Sequence, residues 1–247
     1  MGIFHCGMPQ SDLNLHQNSV NRDTTAKESS EKDLVRTQSP ANSQRTLPRE
    51  LRRLQLIEST IDCIAKRGLT DTRMADVAAG AGLSVGIVNF HFDSKTTLLA
   101  ETLRYLADEY HQAWIEARNE SDEDPAKQLL SLTRMNFEPR ICNQRRIAVW
   151  YAFFGEARSR PTYSNLCQQL DDDYLDQMRT LFGSLFDDGN ERRAHRASLM
   201  LMALWDGLWQ NILLNPDVFN TDEAVRACEH WLACMLPEHF KQPDNSA

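Results

Sequence analysis

A short stretch around residues 84–95 carries the side chains of this sequence that are best suited to recognising another molecule. Ser84, Asn89 and His91 fall within one short predicted helix, among small residues that would let it approach a partner closely. An asparagine amide can pair with one adenine edge, and hydroxyl and imidazole groups can bind phosphate oxygens. This combination predicts contact with the major groove of a nucleic acid.

Residues 73–92 contain the elements that would position these side chains. Two short helical segments flank a turn at residues 80–82, where Gly82 supplies the backbone freedom that a tight turn needs. Such a pair is typical of a helix-turn-helix whose second helix enters a DNA groove. An ordinary helical hairpin inside an all-α protein is the alternative interpretation. The residues predicted to face inward are Met74, Val77 and Ala78 on the first helix and Leu83, Ile87 and Val88 on the second.

Patterns typical of catalysis are absent from the sequence. We find no Gly-x-Ser-x-Gly, phosphate-binding glycine loop, dinucleotide fingerprint or His-Glu-x-x-His. The six cysteines form no Cys-x-x-Cys pair and are expected to be free thiols. The acidic run at residues 171–173 begins a helical stretch, where the helix dipole favours carboxylates. We therefore expect no enzyme, no metal and no cofactor; the competing functions are a small helical enzyme and a helical interaction module that does not bind DNA.

The charge distribution limits where a phosphate-facing surface can lie. The net charge is −8, which argues against indiscriminate binding to nucleic acids. Residues 101–247 carry a balance of −9, residues 47–100 a balance of +1, and residues 1–46 sum to zero. Residues 47–100 are therefore the segment in which basic groups can be focused on DNA.

Two apolar stretches, residues 147–155 and 199–205, are the longest in the chain. Both are well short of the roughly 20 residues that span a bilayer, and no secretory signal pattern is present at the start. We expect a soluble, cytoplasmic protein without a membrane partner, associated with the nucleoid when it is bound to DNA.

The chain divides into four segments. Residues 1–46 are rich in polar residues without a hydrophobic period and are predicted to be a disordered tail. Residues 47–110 are predicted to be a helical domain whose first helix starts near Pro48 and ends at Gly68. Residues 111–240 are predicted to be a second helical domain, and residues 241–247 a flexible tail. The apolar face of the first helix consists of Leu51, Leu54, Ile57, Ile61 and Ile64, and helix breaks are expected at residues 124–125, 160–161, 187–189 and 215–216.

Residues 50–110 resemble the DNA-binding domain of the tetracycline-repressor (TetR) family. The pieces keep the gaps of that family over a whole domain, so the match is more specific than a lone helix-turn-helix. The resemblance implies an all-α, TetR-like fold, with an N-terminal three-helix DNA-binding domain and a larger helical ligand-binding and dimerisation domain. The matching pieces are Leu56-Ile57-Glu58-Ser59-Thr60, Gly68-Leu69, Val77-Ala78, Ala81-Gly82-Leu83-Ser84, Gly86, and Phe92-Asp93-Ser94-Lys95 followed by Leu98-Leu99.

The same resemblance implies roles for single residues. It places the recognition helix at residues 84–90 and a phosphate-contacting lysine, Lys95, at the start of the fourth helix, where exposed helix N–H groups also suit a phosphate. Asn89 and His91 stand where many members carry tyrosines, so the resemblance does not imply an operator sequence. His91 either donates to a phosphate or packs beneath the helix. The predicted DNA contacts are Arg73, Ser84, Val85, Gly86, Asn89, His91 and Lys95.

The C-terminal region resembles, more loosely, that of the choline-responsive, BetI-type repressors of the family. The resemblance rests on Trp150-Tyr151-Ala152-Phe153-Phe154 and Asp206-Gly207-Leu208-Trp209. It implies a homodimer on a double-stranded DNA operator and a small effector such as choline; a different hydrophobic or cationic effector is the alternative. Aromatic rings with a nearby carboxylate suit a quaternary amine, although the same rings can be plain core. The candidate effector residues are Trp114, Trp150, Tyr151, Phe154, Glu156, Trp205, Asp206 and Trp209.

Dimerisation through the last two helices is a further implication of the resemblance. The sequence offers one wide apolar face on each of two predicted helices, and four such helices would form the interface between two copies. The alternative is that both faces are intramolecular core. The faces consist of Ala197, Met200, Leu201, Leu204, Leu208 and Trp209, and of Trp231, Leu232, Met235 and Leu236.

Overall fold

A computed structural model describes residues 48–121, 123–157, 159–186 and 188–241, with only the main chain placed at residues 167–171. The predicted N-terminal tail at residues 1–46 therefore lies outside the described residues, as do residues 242–247 of the predicted C-terminal tail. All regular structure in the described part is α-helical. The helices are α1 (Arg49–Asp71), α2 (Met74–Gly80), α3 (Val85–His91), α4 (Lys95–Glu120), α5 (Pro125–Asn136), α6 (Gln144–Ala157), α7 (Pro161–Leu185), α8 (Glu191–Leu214) and α9 (Thr221–Met235).

Helix α1 changes direction at Gly68, as the sequence predicts. Gly68 adopts φ 78°, a left-handed conformation that favours glycine, and its carbonyl accepts a hydrogen bond from Thr72 Oγ1 at 2.8 Å. One further helical turn then leads into α2. The kink lets Leu69 fold back into the core, where it is buried.

The apolar face of α1 begins later than the sequence predicts. Ile57, Ile61 and Ile64 are buried, but Leu51 is 51% exposed and Leu54 is 37% exposed. Leu54 lines a shallow groove of about 230 Å³ between α1 and α4, so no helix covers it among the described residues. Amphipathic spacing predicted the face correctly but not how far along it the neighbouring helices extend.

Polar caps at five of the helix starts, including that of α6, explain why these helices begin where they do. Ser94 Oγ accepts from the Thr97 backbone N–H, and the side chains of Asp124, Asn190 and Asn220 accept in the same way at the starts of α5, α8 and α9. These caps coincide with the breaks predicted near residues 124, 187–189 and 215–216. The break between α5 and α6, at residues 137–143, was not predicted. Pro139 and Asn143, within that connection, are its local signals, and Asn143 Oδ1 accepts from the Arg146 backbone N–H at 3.0 Å.

Most of the predicted dimer face of α8 is buried within one protomer. Ala197, Leu201, Leu208 and Trp209 are each at most 8% exposed, because α7 and the neighbouring helices cover them. These residues are intramolecular core, which corrects the prediction for this helix. Met200 is 50% exposed, on the opposite side of α8.

No described helix is both long enough and apolar enough to span a membrane. Cys63, Cys142 and Cys228 are free thiols, and all three are buried.

Candidate DNA-binding surface and effector region

Helices α2 and α3 form a tight helix-turn-helix. Gly82 adopts φ 64° in the turn, and the Leu83 backbone N–H donates to the Ala78 carbonyl at 2.8 Å. Helix α1 secures this turn, because Gln55 Nε2 donates to the Ala81 carbonyl at 2.8 Å. A Cβ at Gly80 would come within 2.5 Å of Ser59 Oγ, so α1 and α2 approach too closely for a side chain there. The orientation of α3 is therefore fixed by direct contacts to the rest of the domain.

Helix α3 turns most of its predicted DNA contacts outward. Ser84, Val85, Gly86 and Asn89 are exposed, and Ser84 is the N-cap residue although its side chain makes no capping hydrogen bond. Val88 is fully buried, as predicted.

The prediction for Ile87 was wrong, because this side chain is 38% exposed rather than turned inward. Adjacent helical residues lie about 100° apart, so only one of Ile87 and Val88 can point at the core of so short a helix. Val88 takes that position, and Leu83 packs partly against the core beside it.

Phe90 is a residue that the sequence interpretation missed. Its side chain is 70% exposed, and the guanidinium carbon of Arg49 lies 6.0 Å from its ring centroid. The signal available in the sequence was its position two residues after Val88, on the opposite side of the helix.

His91 lies between the core and the exposed face of α3. Its backbone carbonyl accepts from Arg53 Nη1 at 3.4 Å, and the Arg53 guanidinium lies over the ring of Phe92 at 4.7 Å. Partial burial, followed by the positive charges of Arg49 and Arg53, lowers the pKa of the His91 imidazole below its usual 6.5. Basic residues from α1 thus surround the end of the recognition helix.

Lys95 is the first residue of α4 and lies on the other side of the motif. Its Nζ donates to the Thr70 carbonyl at 2.8 Å, which holds the ammonium group beside the connection between α1 and α2. Arg73 is exposed in the same connection and precedes α2. The structure thus brings two of the predicted phosphate contacts to one edge of the domain.

The predicted effector residues separate into two groups. The first, which we call the aromatic cluster, packs between α4, α7 and α8, and all its rings are buried. Its closest ring pair joins Trp114 and Tyr174, whose centroids are 4.4 Å apart, and Trp205 approaches Trp114 edge-on at 6.3 Å. The rings lie in mutual contact, so a ligand between them must separate them. The aromatic cluster consists of Tyr110, Trp114, Tyr174, Trp205 and Trp209.

Buried hydrogen bonds fix the aromatic cluster to the helices around it. Trp114 Nε1 donates to Gln177 Oε1, and Trp209 Nε1 donates to the Asn136 carbonyl, both at 2.9 Å. Tyr110 Oη donates to Asn136 Oδ1 at 2.8 Å. Tyr110 and Tyr174 were not among the predicted effector residues.

The second group, the α6 aromatic group, consists of Trp150, Tyr151 and Phe154. The rings of Trp150 and Phe154 stack at 5.7 Å, and Tyr151 Oη donates to the Asp206 carbonyl at 2.7 Å. Burial, followed by the negative charge of Asp206, raises the pKa of Tyr151 to about 12, so its hydroxyl stays protonated. Glu156 is engaged by Arg160 in an ion pair of 3.0 Å. The two predicted carboxylates therefore differ: Glu156 is paired with Arg160, whereas Asp206 contacts Tyr151 through its backbone carbonyl and its negative charge acts on the Tyr151 hydroxyl.

Two helices connect the effector region to the DNA-binding motif. Helix α4 carries Lys95 at one end and Trp114 about 28 Å further along its axis. Helix α6 packs on α1 through Arg145, whose Nη2 donates to Glu58 Oε2 at 2.7 Å and whose Nε donates to Asp62 Oδ1 at 2.5 Å. A displacement of α6 would therefore be transmitted directly to α1.

Comparison with known proteins follows the same division of the chain. Residues 56–102 match the model of the bacterial regulatory proteins of the tetR family, and residues 125–237 match the C-terminal domain of BetI-type transcriptional repressors. An HTH-type transcriptional regulator BetI from Paraburkholderia xenovorans is 32% identical over 192 residues, which cover 76% of this chain and 95% of that protein. One from Pseudomonas paraeruginosa is 31% identical over 199 residues, covering 75% of this chain and 93% of the relative.

Solved structures agree on the fold. A transcriptional regulator from Pseudomonas aeruginosa PAO1 superposes with a TM-score of 0.68 at 26% identity and covers 80% of this chain and 97% of its own. A regulator from Saccharomonospora viridis, solved in complex with choline, has a TM-score of 0.65 at 20% identity and covers 74% of this chain and 96% of its own. These matches are to regulators rather than enzymes, in agreement with the absence of catalytic motifs. The chain belongs to the TetR family of transcriptional regulators, and its C-terminal region is of the BetI type.

Proposed function

We propose that this regulator is a homodimeric repressor that binds an inverted-repeat operator through α3 and leaves it when a small organic cation binds in its C-terminal region. The observation that supports DNA binding most directly is the outward face of α3, where Ser84, Gly86 and Asn89 are exposed on a helix held rigidly by α1. A rigid, narrow helix of this kind can enter a major groove. Lys95 and Arg73 at one side and Arg49 at the other can hold the flanking phosphates.

Two variants separate base contacts from phosphate contacts. Asn89→Ala should weaken binding to the operator by about 1–3 kcal/mol and affect random DNA far less, because an amide that reads adenine acts on one sequence only.

Lys95→Ala should weaken binding to the operator and to random DNA alike. It should also lower the slope of log affinity against log salt by about one unit, because it removes one phosphate contact. The measurement is a titration of labelled upstream DNA and a scrambled duplex at several salt concentrations. Equal losses for Asn89→Ala on both duplexes, or an unchanged salt slope for Lys95→Ala, would contradict these roles.

The effector that we propose is a quaternary amine of the choline type. Aromatic rings attract such a cation through their π faces, and Asp206 lies beside Tyr151 of the α6 aromatic group. The BetI-type match and the choline complex of the Saccharomonospora viridis regulator support the same class. Because α6 also carries Arg145, a ligand that moves its aromatic side chains would change the position of α1.

Choline and its neutral isostere 3,3-dimethylbutan-1-ol test whether the effector site recognises the positive charge of its ligand. We expect choline to release the protein from operator DNA and the alcohol, which has the same shape, to fail. Trp150 is buried, so Trp150→Ala should lower the melting temperature; in a protein that still sediments like the wild type and binds operator DNA, it should abolish this release. Trp209→Ala, the parallel variant, removes an indole that is buried and also hydrogen-bonded in the core, so a larger fall in stability is expected there. Normal release in a stable Trp150→Ala protein would contradict the aromatic site.

A further inference from the structure

The side of α3 directly opposite its buried side carries one glycine and one phenylalanine. Val88 is fully buried, and at about 100° per residue both Gly86 and Phe90 lie about 160° from it. Phe90 is 70% exposed. Among the exposed large hydrophobic residues in the described part of the chain, it is the only aromatic one. The residue that would penetrate furthest into a DNA groove is therefore aromatic.

Gly86 leaves the outer face of α3 open beside Phe90. The Phe90 ring lies near the Arg49 guanidinium and the His91 ring rather than against Gly86. A Cβ at residue 86 would meet only Ser84 Oγ, at an ordinary 3.7 Å, so the fold itself does not require glycine there. The space above Gly86 is thus available to a base edge that packs against the ring.

Cationic groups flank the ring on the side of α1. The guanidinium carbon of Arg49 lies 6.0 Å from the Phe90 centroid, and Arg49 itself is exposed. A phosphate held by Arg49 would place the neighbouring base pair next to the ring. The surroundings of Phe90 therefore fit a polyanion such as DNA.

We propose that Phe90 reads the C5-methyl group of a pyrimidine in each operator half-site, an inference that rests on the proposed DNA-binding function. A phenyl ring has no hydrogen-bonding group and can recognise only apolar features of a base edge. In the major groove the apolar feature is the C5-methyl group of thymine, and 5-methylcytosine presents the same group. Phe90 is then a specificity-determining residue beside the hydrogen-bonding Asn89.

The test is a scan in which each thymine of the operator is replaced in turn by deoxyuridine, which lacks only the methyl group. Replacement of one particular thymine in a half-site should lower the affinity of the protein for the operator about fourfold. Replacement of the equivalent thymine in both half-sites should lower it about fifteenfold, because each buried methyl group contributes on that scale. Phe90→Ala should lose at least as much on the thymine operator and nothing more when deoxyuridine is introduced at that position. Ile87→Ala, which truncates another exposed apolar residue of α3 that is not among the predicted DNA contacts, is the matched control and should retain the full deoxyuridine effect.

Further duplexes identify the source of the methyl group and the outcomes that overturn the proposal. At the sensitive thymine position, 5-methylcytosine paired with guanine should bind better than cytosine paired with guanine, because it restores the methyl group. Insensitivity of every thymine in the wild type would overturn the proposal. Equal deoxyuridine losses in Phe90→Ala and the wild type, or wild-type affinity of Phe90→Ala for every duplex, would overturn it. Because Phe90 is exposed, Phe90→Ala should melt like the wild type. Loss of binding by Asn89→Ala but not by Phe90→Ala would reject this inference alone, whereas failure of the wild type to prefer the operator would reject the proposed function.

Discussion

His91 is a residue whose protonation can report on contact with DNA. Partial burial first, and then the charges of Arg49, Arg53 and Arg52, lower the pKa of its imidazole below 6.5, so the free protein carries it mainly neutral at pH 7. A phosphate oxygen beside the ring would stabilise the charged form and raise that pKa in the complex. Binding would then take up a proton, and linkage makes affinity increase as the pH falls through the interval between the two pKa values.

The prediction is a stronger operator affinity at pH 6 than at pH 7.5, by at most about tenfold per pH unit for one proton. It is measured by DNA titration at constant ionic strength across this range, and His91→Gln serves as the control because glutamine does not titrate. If the wild type and His91→Gln have the same pH dependence, His91 does not contact a phosphate and its packing against the domain is its role.

Single residues of α3 also mark the limit of what the sequence could predict. Asn89 and Ser84 were predicted to be exposed and are, because a polar residue rarely faces a core. Ile87 was placed inward and Phe90 was overlooked, although both are apolar and exposed. In a helix of seven residues the apolar spacing does not decide which neighbour of Val88 meets the core. That choice depends on how α3 packs against α2 and α1, which the spacing within α3 does not record.

At the scale of helices, the sequence predicted where the helices start and end better than it predicted what covers their apolar faces. Asp124-Pro125, Asn190 and Asn220 act through hydrogen bonds to their nearest neighbours, so local chemistry is sufficient to place them. The face of α8 was misassigned, because periodicity identifies an apolar side without saying whether α7 or a second copy covers it. The contact of Arg145 with Glu58 was not predicted either, since 87 residues separate them and no local pattern records it.

Helix α6 has two roles that its sequence position alone does not suggest. Its first turn holds α1 through Arg145, and Arg146 lies 2.5 Å from Glu109 on α4. Its later turns carry the α6 aromatic group. One helix therefore contacts α1, α4 and the proposed effector region, and such a helix could couple the two proposed sites.

In the whole molecule, one exposed stripe of α8 remains available for a second copy. Met200, Ala203, Gly207 and Leu214 recur at helical spacing, and all four are exposed in the protomer. The small residues Ala203 and Gly207 stand in the middle of this stripe, where they would let two helices approach closely. We infer that the α8 stripe, rather than the buried residues that the sequence first indicated, is the α8 contribution to a two-fold dimer.

Ala203→Glu tests this dimer. Because Ala203 is exposed, a glutamate there should leave the folded protomer intact, but two-fold symmetry would bring two carboxylates together in the interface and separate the copies. A monomer cannot place two recognition helices about 34–36 Å apart, one turn of B-DNA, so affinity for the inverted repeat should fall to that for a single half-site. Sedimentation and titration of full and half operators measure the two effects, and Asn119→Glu, at an exposed position of α4, controls for the added charge. If the Ala203→Glu protein remains dimeric and binds the full operator normally, the interface lies on another surface. If it is monomeric yet still prefers the full operator, DNA recognition does not depend on this dimer.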